Sequence, residues 1–296
     1  MNAFAFFLEV VVGGLLSGVM YTLVALGFVL IFKASGVFNF AQGAMVLFAA
    51  LTFVGFTEMG LPAWAAFLVT LAAMMALAVA IERAVLRPLL GQDHMILFMA
   101  TIGLSIFIEG LAQLLWGTRV RGLDLGIPDE PIAFGSVLVS QFDLSTAAMA
   151  GVLVAALSAF FSFTPVGRAL RAVADDTQAA QVAGVPLGFI WAVVWGAAGF
   201  IALVAGLVWG ARLGVQFALT LVALKALPVM ILGGFNSIAG AIVAGLVIGV
   251  SEKLAEIYIG PLVGGGIENW FPYALAIAVL LVRPSGLFGA GRVARV

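Results

Sequence analysis

The chain has 296 residues, of which 64% are hydrophobic and 9% charged, against roughly 45–50% and 25% in an ordinary soluble domain. That balance excludes a water-soluble globular protein, and a net charge of −1 argues against nucleic acid as a partner. With no cysteine and one histidine, His94, disulfides, thiol nucleophiles and Cys/His metal clusters are excluded as well.

Crossing about 30 Å of hydrocarbon at 1.5 Å per residue takes roughly 20 apolar residues. The apolar runs are continuous rather than alternating, which favours helices over a barrel. Spans are expected at 8–32, 40–57, 62–82, 95–116, 145–163, 188–210, 213–233, 238–254 and 270–283, each bounded by Gly, Pro or charge. The fold class is therefore all-α, a polytopic transmembrane helical bundle of about 8–10 spans in one transmembrane domain, 1–296. The first span lacks the basic flank and small-residue cleavage site of a secretory signal, so it reads as retained. Around Gly36 and Gly233 a broken or re-entrant helix is as plausible as two complete spans.

Charge sets the expected sidedness. Arg83 and Arg87 lie in one linker, Arg168 and Arg171 in another, and Arg283, Arg292 and Arg295 at the C-terminus; by the positive-inside rule these face the cytoplasm. The linker 117–144, with Asp124, Asp129, Glu130 and Asp143 against Arg119 and Arg121, and the segment 252–268 fall outside by alternation. His94 reads as an ordinary residue of a cytoplasmic turn, and Glu9 and Glu58 as markers of the membrane interface.

Two internal echoes stand out: TLVAL at 22–26 and 220–224, and GVFNFAQGA at 36–44 against GGFNSIAGA at 233–241. They fit either pseudo-symmetric halves of the kind transporters use or coincidence in a chain rich in Leu, Val, Ala and Gly. Small residues at helical spacing, Gly14/Gly18, Gly206/Gly210/Gly214 and Gly245/Gly249, point to close helix packing or a dimer seam.

The one sizeable polar island is TPVGRALRAVADDTQAAQVAGVPL at 164–187. Thr164 before Pro165 reads as a helix start, and Gly184 followed by Pro186 as a stop, with a surface helix between. Arg168 and Arg171 are one turn apart, Asp175 follows, and Ala172, Ala179, Ala180 and Ala183 offer small surfaces. Such a helix either seats in another protein's groove or serves as a solvated connector.

The pattern from Gly167 to Pro186 resembles the coupling loop of ABC importer permeases, and more narrowly of permeases for branched-chain amino acids. The resemblance continues through YTLVALGFVLIFKASGVFNFAQGA at 21–44, ERAVLRPL at 82–89, ATIGLSIF at 100–107, KALPVMILGGFNSIAGAIVAGLVIGVSE at 225–252 and LLVRPSGLFG at 280–289. It implies a non-catalytic inner-membrane subunit with several partners: a homologous second permease, two cytoplasmic ATPase subunits that bind ATP and Mg, a periplasmic solute-binding protein and the lipid bilayer. This chain would hold no cofactor, and it carries no Gly-x-x-x-x-Gly-Lys-Ser/Thr sequence of its own. On that reading Gly167, Arg168, Arg171, Ala172, Asp175, Asp176, Ala180 and Gly184 form the ATPase-coupling site. Lys33 and Ala34 stand where the family commonly has Tyr-Gly, and Gln42 where it often has His, which puts the solute rather than the mechanism in question.

Polar residues inside spans are the remaining candidates, since each costs a few kcal/mol at the bilayer centre unless paired or wetted. Asn39, Gln42, Glu109, Gln113, Lys225 and Asn236 are the translocation-path candidates. Asn39, Gln42 and Asn236 either offer a solute freed backbone groups or simply satisfy the breaks they sit in. Glu109 suits an ammonium or an interhelical tie, and Lys225 a carboxylate or a structural salt bridge. Urea, short amides or other amino acids are alternative solutes; an ion-coupled secondary transporter is the competing mechanism, opposed by the coupling pattern and the shortage of paired intramembrane acids.

Overall fold

The computed structural model describes residues 3–89, 92–135 and 137–289; Arg292 and Arg295 lie outside the described residues. Every expected span contains a helix, although in the one expected at 213–233 the α-helix begins only at Thr220. In chain order the helices are α1 (Ala3–Ser35), α2 (Gln42–Glu58), α3 (Ala63–Ile81), α4 (His94–Trp116), α5 (Gln141–Phe163), α6 (Pro165–Asp175), α7 (Thr177–Val182), α8 (Leu187–Leu213), α9 (Thr220–Gly233), α10 (Ile238–Tyr258), α11 (Gly260–Val263) and α12 (Phe271–Val282). Six are long and apolar enough to cross a membrane, while 42–58, 217–233 and 271–282 are apolar but shorter. Two of these short helices flank the breaks at Gly36 and Gly234, whose φ angles of 69° and 98° are open to glycine and strained for other residues. Both echoed motifs thus form helix–break–helix units. His94 begins α4 rather than sitting in a turn, because Asp93 caps the helix by accepting from Met95 N at 3.0 Å.

The linker 117–144 departs from the all-α expectation. It contains an antiparallel hairpin, β1 (Pro131–Phe134) with β2 (Val137–Ser140), in register Pro131↔Ser140 to Phe134↔Val137, turning at Gly135 with φ 67°.

Two compact units emerge, one of residues 1–29, 126–155 and 224–296, the other of 30–125 and 156–223. In the first unit α1 meets α10 along the small-residue seam. A Cβ at Gly18 would lie 2.5 Å from Gly245 O, and one at Gly14 2.7 Å from Val250 Cα, so backbones touch where side chains would block them. The expected glycine steps are therefore a seam within this chain. In the second unit α2 is buried from Gln42 to Gly55 and is apolar on all sides, as a helix at the centre of a bundle must be. Gly206 of α8 would carry a Cβ 2.6 Å from Val46 O of α2. Gly214, expected to continue that packing step, instead ends α8 as its C-cap with φ 77°.

Linkers in the second unit gather at two ends. At one, Arg121 pairs with Glu58 at 2.6 Å and exchanges backbone hydrogen bonds with Val215. At the other, Trp191 donates to Ala34 O at 3.2 Å and Arg87 reaches Gly188. The two Arg-bearing linkers, at 82–89 and 164–187, therefore share an end, as alternation of the spans requires.

Candidate functional site

The polar island builds a two-helix bracket. Thr164 Oγ1 accepts from Gly167 N at 3.2 Å, and Pro165 occupies the first turn of α6, where its missing N–H costs nothing. The single helix expected here is broken: Asp176 is extended at φ −155°, ψ 104°, and its Oδ1 accepts from Ala179 N at 2.9 Å. An Asp competes well with helical backbone by capping the next helix, and α7 starts from that cap. α7 ends at Gly184, φ 85°, with Val185 N bonded to Ala180 O at 3.0 Å, a left-handed glycine stop.

The eight residues of the expected coupling site divide by what they touch. Val173, Ala180 and Leu187 form a buried cluster with Val185 against it, so Ala180 anchors the bracket. Gly167 lies so close to the Phe161 backbone that a Cβ has no room. Arg171, half-buried, donates to Phe161 O at 2.8 Å and Ser162 O at 3.3 Å, satisfying carbonyls that the end of α5 leaves open. Facing outward are Arg168, Ala172 and Asp175, spaced i, i+4, i+7 on α6, with Asp176 and Gly184 also exposed. Val182 joins them at 91% exposure, an apolar tip beside a charged face.

Within the spans, Asn39 and Gln42 are both fully buried and consumed by the break between α1 and α2. Asn39 Oδ1 accepts from Ala41 N at 3.1 Å, its amide donates to Gln42 Oε1 at 3.4 Å, and Gln42 donates to Ala198 O at 3.4 Å. This arrangement answers the backbone of the break and knits α8 to it. Asn236, the echoed position, is exposed; Ser237 caps α10 instead, accepting from Gly240 N at 2.9 Å. Glu109 is half-buried and Gln113 exposed on the face of α4 that also carries Ile106.

Lys225 takes part in ion pairs, the structural alternative offered for it, within a charge cluster whose other members the sequence did not single out. Its Nζ lies 4.0 Å from Glu252 and 3.9 Å from Glu268, while Lys253 lies 3.9 Å from Glu268. Glu252, 2% exposed, accepts from the Tyr21 hydroxyl at 3.0 Å. The cluster ties α1, α9 and α10 to the segment before α12. Sequence placed Glu252 at the edge of an acidic loop, but Gly245, Gly249 and Glu252 recur at i, i+4, i+7, which puts the carboxylate on the seam. Glu9 and Glu58 are likewise more than interface markers: Glu9 accepts from Leu138 N of the hairpin at 2.8 Å, and Glu58 holds Arg121. Among the described residues, no group of Asp, Glu and His is arranged to hold a metal ion.

A family model for the branched-chain amino acid transport system permease component matches residues 10–283. The chain belongs to that permease family. It is 29% identical to the high-affinity branched-chain amino acid transport system permease protein LivH of Salmonella typhimurium, over 99% of each chain. To the corresponding BraD of Pseudomonas aeruginosa it is 28% identical over 98% of each. A probable LivH of Methanocaldococcus jannaschii shares 26% identity over 94% of this chain and 91% of that one. Among solved structures, PsaBC from Streptococcus pneumoniae in complex with Fab superposes with a TM-score of 0.46 at 14% identity, covering 91% of this chain and 89% of that chain, too slight a likeness to bear on the fold. This family member is thus a non-catalytic membrane component of a transporter.

Proposed function

We propose that this permease imports branched-chain amino acids across a bacterial inner membrane. It would work beside a homologous second permease, driven by two separate cytoplasmic ATPase subunits and fed by a periplasmic binding protein. The observation that carries the reading is the family match along 10–283, supported by relatives named for that transport. Arg168, Ala172, Asp175, Asp176 and Val182 are the ATPase-facing residues, held in place by Gly167, Arg171, Ala180 and Gly184. Asn39 and Gln42 keep the α1–α2 break closed, and Lys225 serves unit integrity through its ion pairs. Of the path candidates, Glu109, Gln113 and Asn236 keep polar atoms available to a solute.

The test is co-expression with a homologous second permease, the ATPases and a binding protein from the same organism, followed by reconstitution into liposomes. ATP-dependent uptake of labelled leucine, isoleucine or valine is expected. Uptake of urea or a short amide instead would reassign the solute. Transport driven by an ion gradient without the ATPases would overturn the mechanism.

A further inference from the structure

The second unit holds a charged pair that the coupling bracket does not account for. After Ile81 the helix α3 does not stop: Glu82–Leu86 form a π-turn and Arg87–Leu89 a 3-10 turn. Single π-turns within helices concentrate at functional positions, because they re-aim side chains without ending the helix. Here the turn points Glu82 inward, 1% exposed. Arg87 answers it: Nε donates to Glu82 Oε1 at 3.2 Å, and Nη2 lies 3.1 Å from the same oxygen.

The pair rests on Gly188, the second residue of α8. A Cβ there would sit 2.7 Å from Arg87 Nη2 and 3.5 Å from Glu82 Oε1, so the tip of the guanidinium occupies the space a side chain would need at the point where the bracket becomes a membrane helix. The preceding residue, Leu187, is buried against Val173 of α6 and Ala180 of α7. Contact therefore runs without interruption from the two bracket helices through Leu187 and Gly188 to the Glu82–Arg87 pair and α3. On the bracket's other side, Arg171 and Gly167 fasten α6 to the end of α5.

Stability alone is a poor reason for this arrangement. Glu82 is desolvated while 55% of the Arg87 side chain stays exposed, so solvent screens the attraction and the pair contributes little net stability. A pair with fixed direction does what an apolar contact cannot: it resists sliding and keeps two elements in register. We propose that Glu82 and Arg87 are positioning residues for energy coupling, clamping the start of α8 to α3 so that displacement of α6 and α7 moves both helices together. This rests on the ATP-driven reading above.

The test uses the full complex in proteoliposomes, with leucine uptake and ATP hydrolysis measured in the same vesicles. For Glu82→Gln and Arg87→Gln, binding-protein-stimulated hydrolysis is expected to persist while the ATP consumed per leucine rises at least about fivefold, the low end of a coupling free energy. Arg87→Lys, which keeps the charge but not the fork, should recover part of that ratio, and Gly188→Ala, which pushes the guanidinium aside, should raise it. An unchanged ratio in Arg87→Gln and Gly188→Ala, or hydrolysis and uptake falling in parallel, would overturn the clamp and leave the pair a structural tie. Should Glu82→Gln fail to assemble, the Arg87 and Gly188 variants decide the matter. A wild-type complex that takes up no leucine with ATP would count against the proposed function and not against the clamp.

Discussion

Glu252 shows why a buried charge in a membrane helix is held by several partners at once. Its Oε1 takes the Tyr21 hydroxyl and faces Lys225, while Oε2 has no hydrogen-bond partner. Glu252→Ala removes the carboxylate that the Tyr21 hydroxyl meets at 3.0 Å and one of the two carboxylates beside Lys225, and a hydrogen bond to a charged group contributes about 1.5–3 kcal/mol. Glu252→Gln keeps the acceptor and the volume. The expected order of thermal stability in detergent is therefore wild type, then Gln, then Ala; equal melting of all three would show that the cluster carries no stability. Asn39→Leu should behave like the Ala variant, because it removes the acceptor of Ala41 N and the donor to Gln42 Oε1 at the buried break before α2. Of these side chains, Asn39 was visible in the sequence as a polar residue at a break, but its engagement was not. Hydrogen bonding to residues two and three positions away looks the same in sequence as a group left open for solute. Tyr21 and Glu252 are 231 positions apart, and only helical phase linked either to the seam.

Among elements, the apolar runs were legible almost without loss, because membrane helices satisfy their own backbone and depend on length and hydrophobicity alone. What escaped was governed by single residues: Asp176, whose side chain ends one helix and begins another, and the hairpin at 131–140, whose strands are only 4 residues each. The α1–α10 seam is the sharpest element-scale case. Gly18→Leu places a side chain where the Gly245 carbonyl already stands, so the helices must separate; loss of folded protein from the membrane is expected, while Gly13→Leu, with open space at its Cβ, should be tolerated. In the bracket, Gly184 also has open space but a φ of 85°, so its requirement is conformational rather than steric. Gly184→Val strains the stop of α7 by about 1–2 kcal/mol, whereas Gly184→Asn visits the left-handed region readily. In the reconstituted complex, Val should lower uptake at preserved ATP hydrolysis and Asn should not. Equal effects would mean that side-chain bulk facing the ATPase, not the turn, is what matters.

At the scale of the whole molecule, sidedness is the property on which the proposed import rests, since a bracket that docks cytoplasmic ATPases would have to face the cytoplasm. Charge counting assigns it there, and the contacts gathering 82–89 with 164–187 at one end of the second unit agree with alternation. The sequence makes the measurement unusually clean: with no cysteine in the chain, any thiol introduced is the sole target for a membrane-impermeant maleimide. Gln178→Cys on α7 and Glu130→Cys beside the hairpin are both at exposed positions and lie away from every tie described above. In intact cells made permeable only at the outer membrane, Glu130→Cys should label and Gln178→Cys should not, with Gln178→Cys labelling once the inner membrane is opened. The reverse pattern would put the acidic linker inside and the bracket outside, where no ATP is available, and would remove the energetic basis of the proposed import.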